Sequence, residues 1–257
     1  MRTIDVSEAI DQGPFGGFQW MVVALCGTLL IVDGYDVFVA GTVLPTLIAE
    51  WGLTKLQAGA LQAWALFGMM FGALILGPLA DRIGRKKGVA ISFALFTSAT
   101  VMTGFASTPE QFKIFRFIAG LGCGGLMPNA VALMNEYAPK SLRGTMVALM
   151  FSGYSVGGMV AAGLGIGIIP GFGWQPMFFI AALPLALLPL ILWKLPESLG
   201  FLIRQGKQDE ARRIFARINP AVPLAADDRL VFTEAKGAKA SIAELFRHGR
   251  ALCTLML

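Results

Sequence analysis

Long uninterrupted apolar runs constrain this chain more than any other feature. A helix needs roughly 20 apolar residues to cross a bilayer, and six runs approach or exceed that length: residues 18–43, 56–80, 88–106, 112–134, 146–169 and 177–193. A seventh begins at Ala251 and continues to Leu257. Charged residues make up only 14% of the chain, against about a quarter in an ordinary soluble domain. The runs therefore predict an all-α membrane protein.

The runs divide the chain into four parts. We expect an amino-terminal segment at residues 1–17, a six-helix transmembrane bundle at 18–195, a polar loop with amphipathic helices at 196–250, and the start of a seventh spanning helix at 251–257. The first run is too long for a cleaved signal and is expected to be retained. Within the loop, apolar residues at helical spacing predict an amphipathic helix that lies along the inner membrane surface. Its apolar face consists of Ala211, Ile214, Phe215 and Ile218. Residues 220–223 are expected to be a linker, and Ser241 with Glu244 predicts a capping box.

The distribution of positive charge predicts an orientation. The net charge is +5, but the lysines and arginines concentrate in the connections after the second, fourth and sixth runs. The opposite connections contain only Lys55 and Lys113. By the positive-inside rule, the amino terminus and the 196–250 segment are cytoplasmic. The excess of basic residues is therefore explained by membrane topology, and no nucleic-acid partner is expected.

No nucleotide-binding loop, catalytic constellation or metal cluster is recognisable in the sequence, so neither an enzyme nor a cofactor is predicted.

Glycines recur four residues apart in the second, fourth and fifth runs. Such spacing lets helix backbones approach closely within lipid. The spacing is consistent with static helix contacts or with smooth helix faces along which two bundles move. The pairs are Gly68 and Gly72, Gly120 and Gly124, Gly153 and Gly157, and Gly163 and Gly167.

Three ionisable residues interrupt the apolar runs. Asp33 and Asp36 lie in the first run and Arg116 in the fourth. Each costs roughly 2.5–3.5 kcal/mol at a helix centre, so each needs a partner or water. A rise of 1.5 Å per residue places Asp36 about 27 Å along its helix and Arg116 about 8 Å from the outer end of its own. A pairing of Arg116 with either aspartate is therefore allowed, and two carboxylates on one face favour a proton-coupling site.

Two connections resemble signatures of the major facilitator superfamily. Residues 77–86 read GPLADRIGRK and follow the second run, as that superfamily's signature loop does, and residues 136–144 read EYAPKSLRG. A weaker similarity is the PES of residues 196–198. The resemblance implies the superfamily's amino-terminal six-helix bundle, built from 3+3 inverted repeats. It also implies a cytoplasmic gating motif whose residues are Gly77, Asp81, Arg82, Gly84, Arg85, Lys86, Glu136 and Arg143.

Within the superfamily, the chain resembles the aromatic acid:proton symporters. The similarity lies in the DGYD of residues 33–36, in Arg116-Phe117 and in residues 128–137. It implies a bacterial inner-membrane protein that imports a small aromatic carboxylate, such as a hydroxybenzoate, using a proton gradient and no cofactor. Asp33 and Asp36 would carry the proton, and Arg116 would be a counter-ion for them or for the substrate. Tyr35 and Tyr154 would supply ring contacts.

Two alternatives stay open at the sequence level. The first is a symporter for a sugar or another organic acid. The second is an inactive half-transporter, because members of the superfamily have twelve helices and this chain ends inside a seventh. In that case activity would need the missing carboxy-terminal half or self-association.

Overall fold

The computed structural model describes residues 3–13, 15–186, 188–220 and 228–232. The predicted capping box at Ser241, the seventh helix and residues 221–223 lie outside the described residues. The described elements, in chain order, are β1 (Thr3–Asp5), α1 (Val6–Gln12), α2 (Gly17–Trp51), α3 (Lys55–Ile83), α4 (Arg85–Thr103), α5 (Pro109–Tyr137), α6 (Arg143–Phe172), α7 (Gln175–Phe179), α8 (Ala182–Leu185), α9 (Leu188–Lys194), α10 (Leu199–Arg204), α11 (Gln208–Ile218) and β2 (Arg229–Val231).

Four of the described helices are long and apolar enough to cross a membrane, namely α2, α3, α5 and α6. The third predicted run forms α4, which begins three residues earlier than expected. Its basic first turn and its serines and threonines make it less apolar than the other four. The sixth predicted run is divided into α7, α8 and α9. Pro184 has no N–H to donate to the Ile180 carbonyl oxygen, which explains the interruption between α7 and α8.

The closest helix pairs are α2 with α6 and α3 with α5, and α4 packs against α5. A methyl group added at Gly72 would overlap the carbonyl oxygen of Leu121, and one added at Gly124 would overlap that of Met69. The predicted close approach is therefore confirmed for the Gly68/Gly72, Gly120/Gly124 and Gly153/Gly157 pairs. Gly163 and Gly167 differ, since the described residues leave open space around both. Pairing of the first helix with the fifth and of the second with the fourth is what an inverted 3+3 repeat produces.

Aromatic rings close the bundle at the end where α2 meets α3. Trp174 lies edge-on to Trp51, Phe112 and Phe178, with ring centroids 5.6–6.1 Å apart. The indole nitrogen of Trp174 donates a hydrogen bond to Glu50 Oε2 at 2.8 Å. These contacts fix the start of α7 against α2 and α5.

The other end, here called the basic end, carries the α3–α4 and α5–α6 connections and the polar loop. There β1 pairs in parallel with β2, with Ile4 opposite Leu230. The apolar face of α11 is buried at Ala211, Phe215 and Ile218, in one core with β1, α1 and β2. The expectation that this face lies on the membrane surface is therefore wrong, because the face is buried within the protein, where α11 contacts α10, β2 and α2.

Candidate functional site

The three ionisable residues of the apolar runs meet in the interior of the bundle. Asp33 and Asp36 lie one turn apart on α2, and Arg116 lies in the first half of α5. Their exposed fractions are 0%, 2% and 1%. All three side chains therefore face protein and not lipid.

Arg116 pairs with Asp36. Its Nη1 lies 2.8 Å from Asp36 Oδ1, and its Nη2 donates to the backbone oxygen of Asp36 at 3.1 Å. The predicted pairing with an aspartate of the first helix is confirmed, and the partner is Asp36. A charge-assisted contact of this kind is among the stronger hydrogen bonds in proteins. It joins α2 to α5, which are otherwise members of different helix pairs.

Two further side chains complete the surroundings of Asp36. The hydroxyl of Thr100 on α4 contacts Asp36 Oδ1 and also reaches the Phe96 carbonyl oxygen at 2.8 Å. The thiol of Cys123 donates to Asp36 Oδ2 at 3.6 Å. Sequence reasoning missed both residues, and the only signal for Thr100 was a hydroxyl within an apolar run. Asp36 is thus held by side chains from α4 and α5.

Asp33 is buried without such partners. Cys123 lies close to its carboxyl group, but within the described residues neither oxygen of Asp33 has a hydrogen-bond partner. Arg116 Nε is likewise unpaired there. Burial of an isolated ionised carboxylate is strongly unfavourable. The two aspartates therefore differ in kind, since only one has a counter-ion.

A cavity of about 180 Å³ adjoins the pair, between α2, α3 and α5. Asp36 and Arg116 form its polar wall together with Gln62, while Leu66 and Met69 contribute apolar surface. A cavity with polar groups on one side is suited to hold water or a small polar ligand.

Tyr35 and Tyr154, the two residues predicted to contact the ring of a substrate, do not line this cavity. Tyr35 is buried and donates its hydroxyl to the Met177 backbone oxygen at 2.6 Å, which ties α2 to α7. Tyr154 is half-buried, and its ring lies 5.5 Å from that of Phe38. Asp33 and Tyr154 are neighbours across the α2–α6 contact.

The predicted gating residues form a charge network at the basic end. Arg85 Nη2 lies 3.0 Å from Asp81 Oδ1, and Arg85 Nε lies 3.5 Å from Glu136 Oε1. Among the described residues Arg143 forms no ion pair with this network, and its Nε donates to the Ala138 carbonyl oxygen at 3.1 Å. The role of Arg143 in a gate stays a prediction. Gly84 has a positive φ of 105°, which lets the chain reverse between α3 and α4.

Glu197 and Ser198 join the network, although they belong to the weaker of the sequence similarities. Glu197 Oε1 accepts from the backbone N–H of Lys86 at 3.0 Å, and Ser198 Oγ donates to Glu136 Oε1 at 2.8 Å. The hydroxyl of Tyr137 donates to the Glu197 backbone oxygen. A polar PES sequence directly after an apolar run was the signal available. Around Gly77, the described residues leave open space, while Arg82 is exposed.

The arrangement of the helices defines a class of protein by its fold, namely the major facilitator fold. One similar solved structure is the proton:xylose symporter XylE from E. coli, bound to 6-bromo-6-deoxy-D-glucose. The TM-score is 0.70 at 23% sequence identity, over 78% of this chain and 50% of that one. At this identity the likeness shows the fold alone, and it confirms the fold class expected from the sequence.

Residues 20–257 match the family described as "Sugar (and other) transporter", and the chain belongs to that family. It is similar to the benzoate transport protein of Acinetobacter baylyi, with 43% identity over 99% of this chain and 56% of that protein. It is also similar to the 4-hydroxybenzoate transporter PcaK of Pseudomonas putida, with 36% identity over 100% of this chain and 58% of that protein. The chain thus spans about half the length of the curated relatives it matches. These relatives are transporters and not enzymes, as expected.

Proposed function

We propose that this chain is part of a secondary active transporter that takes up an aromatic carboxylate together with a proton. The observation that carries the proposal is the pair of buried carboxyl groups on α2, of which only Asp36 has a counter-ion. The Asp36–Arg116 contact of 2.8 Å adjoins a cavity. The benzoate and 4-hydroxybenzoate transporters among the relatives support a substrate with a ring and a carboxylate.

Exchange of partners at Arg116 would couple the two ligands. A proton on Asp36 would remove the negative charge that Arg116 now neutralises. The substrate carboxylate would then replace the Asp36 carboxylate as the partner of the Arg116 guanidinium. The net charge of the Asp36–Arg116 pair and its ligands would stay zero when a proton and an anion enter together. Asp33, one turn away and without a counter-ion, would hold the proton in transit. Substrate binding and proton binding would thus favour each other.

The remaining predicted roles follow the same scheme. The basic end would face the cytoplasm of a bacterial inner membrane, with the charge network of Asp81, Arg85 and Glu136 as a gate. The open face at Gly77 would receive a helix from outside the described residues. Tyr154, beside Asp33 and the exposed Phe38 ring, would contact the substrate ring. Tyr35 would act indirectly, by fixing α7.

Uptake of labelled benzoate tests the proposal. The chain would be produced in cells alone and as a fusion to the part of the Acinetobacter baylyi relative that it does not cover. We expect a protonophore to abolish uptake. Asp36→Asn and Arg116→Gln should each reduce uptake at least about a hundredfold, as the loss of a group that acts directly on proton transfer does. The control Glu110→Gln should leave uptake unchanged. Uptake driven equally well without a proton gradient would contradict coupling.

The same assay separates the two alternatives. Competition by xylose and not by 4-hydroxybenzoate would favour a sugar transporter. Uptake by the fusion and not by the chain alone would show that the described half is inactive by itself.

A further inference from the structure

A second, larger cavity lies at the basic end of the bundle. It measures about 600 Å³ and is bounded by the ends of α3, α4 and α9 and by α10 and α11. Arg82, Lys86 and Lys87 line it from the α3–α4 side. Lys194, Lys207, Arg213 and Arg217 line it from the side of α9 to α11. Seven basic side chains thus converge on one space.

The acidic groups of the cavity do not balance these charges. Glu197 is engaged by the backbone N–H groups of Lys86 and Ser198, each at 3.0 Å. Glu210 lies exposed in the first turn of α11. Within the described parts of the chain, none of the seven cations forms an ion pair with a carboxylate at 4.0 Å or less. The cavity therefore has a large positive charge that an anion would neutralise.

The start of α4 adds to this positive charge. A helix N-terminus is stabilised by acidic residues and destabilised by basic ones, because its backbone N–H groups carry partial positive charge. The first turn of α4 nevertheless contains Arg85, Lys86 and Lys87 and no acidic residue, and its N-cap is Gly84, which supplies no capping side chain. The Glu197 carboxylate, which accepts from the Lys86 N–H at 3.0 Å, compensates part of this arrangement, and a negative group in the cavity would add to that compensation.

One wall of the cavity has residues typical of a membrane surface. Trp193 and Lys194 line it at the end of α9, Trp193 is 75% exposed, and the ammonium group of Lys194 lies 4.5 Å from its ring. Tryptophan at the end of an apolar helix is typical of the membrane–water interface. The anion most abundant at that level is the phosphate of a phospholipid, and a cluster of arginines and lysines suits a phosphate group.

We propose that this cavity binds a phosphate group, supplied by the headgroup of an anionic phospholipid. The site would join α4 to the α10–α11 segment through one ligand. It is separate from the Asp36–Arg116 cavity and does not depend on the proposed transport function.

Native mass spectrometry of the purified chain in detergent tests this site. The chain would be titrated with phosphatidylglycerol, with phosphatidylcholine and with inorganic phosphate. The variant Lys87→Gln/Arg213→Gln removes one exposed cation from each side of the cavity. The control Lys55→Gln/Lys113→Gln removes the same charge from the opposite end of the bundle. Since each basic residue contributes about fivefold to binding of an anionic lipid, we expect about thirtyfold weaker binding of phosphatidylglycerol by the cavity variant.

The three titrants identify the source of the phosphate. Tight phosphatidylglycerol binding that millimolar inorganic phosphate does not displace would support a lipid site. Binding of inorganic phosphate that is lost in the cavity variant would support the phosphate site and change its source to a soluble ligand. Equal phosphatidylglycerol binding by wild type and cavity variant, an equal loss in the control variant, or equal affinity for phosphatidylcholine would overturn the proposal.

Discussion

Gly34 on α2 lies directly against the backbone carbonyl oxygen of Tyr154 on α6, with no space between them for a side chain. Gly34 stands between Asp33 and the Tyr35–Asp36 pair in the chain, so this contact fixes the segment that carries both buried aspartates. The neighbouring Gly157 makes the same kind of contact with Ile31. The position of the candidate site therefore depends on the absence of two side chains.

The first prediction concerns this helix contact. Gly34→Ala should destabilise the bundle by about 1–3 kcal/mol, because the added methyl group forces α2 and α6 apart. Gly27→Ala on the same helix is the matched control, since a methyl group added at Gly27 would meet nothing within 4 Å, and should be neutral or stabilising. Thermal unfolding in detergent, followed by circular dichroism, measures both. An equal effect of the two substitutions would contradict the predicted role of Gly34.

The second prediction concerns the buried ion pair. Arg116→Gln should destabilise the fold by about 3–5 kcal/mol, because it leaves the Asp36 carboxylate buried without a counter-ion. The double substitution Asp36→Asn/Arg116→Gln should recover part of this loss, since it removes both charges. Thermal unfolding of the two single variants and the double variant gives the coupling free energy. Strict additivity of the two single effects would show that the pair does not interact.

The third prediction concerns Ser198, which caps α10 by accepting from the Phe201 N–H at 3.0 Å and donates to Glu136. Ser198→Ala should cost about 2–4 kcal/mol, the sum of a lost cap and a lost hydrogen bond to the Glu136 carboxylate. Thr54→Ala, which removes the exposed N-cap of α3, should cost only about 1 kcal/mol. Tryptic cleavage after Arg204 and Lys207 should accelerate in the Ser198 variant alone.

The fourth prediction concerns Asp11, whose Oδ2 lies 2.7 Å from Lys140 Nζ. Partial burial by itself raises the pKa of Asp11, but the hydrogen bonds and charge of Lys140 outweigh it and hold the pKa below the ordinary value of 3.8. The contact therefore stabilises the amino-terminal segment above that pH, and the contribution is lost as the pH falls through the lowered value. A carbon-13 titration should show a higher pKa for Asp11 in Lys140→Gln. An unchanged pKa would contradict the contact.

The helices and their charged residues were the predictable part of this molecule. The apolar runs located α2, α3, α5 and α6 because length and composition suffice for a spanning helix. The cost of a buried charge predicted a partner for Arg116, but not which aspartate it would be. That choice depends on the rotation of α2 about its axis, which the Gly34 and Gly157 contacts with α6 determine.

Contacts between residues distant in sequence were harder to predict from the sequence. Thr100 approaches Asp36 only because α4 packs against α5, and no local pattern in α4 indicates this. The amphipathic face of α11 has the same pattern whether it faces lipid or protein, so the sequence did not distinguish the membrane surface from the protein interior. The PES of residues 196–198 lacks a recognisable period, and its role depends on contacts with residues 84–86 and Glu136.

The parallel pairing of β1 with β2 has a consequence for the order of synthesis. Residues 3–5 are translated before every long helix of the described bundle, and their partners at 229–231 are translated after all of them. Until then Ile4 lacks its β-strand partner Leu230. An affinity tag or fusion partner attached before Thr3 would therefore be present while β1 is unpaired, and it would lie beside the β1–β2 pairing when that forms.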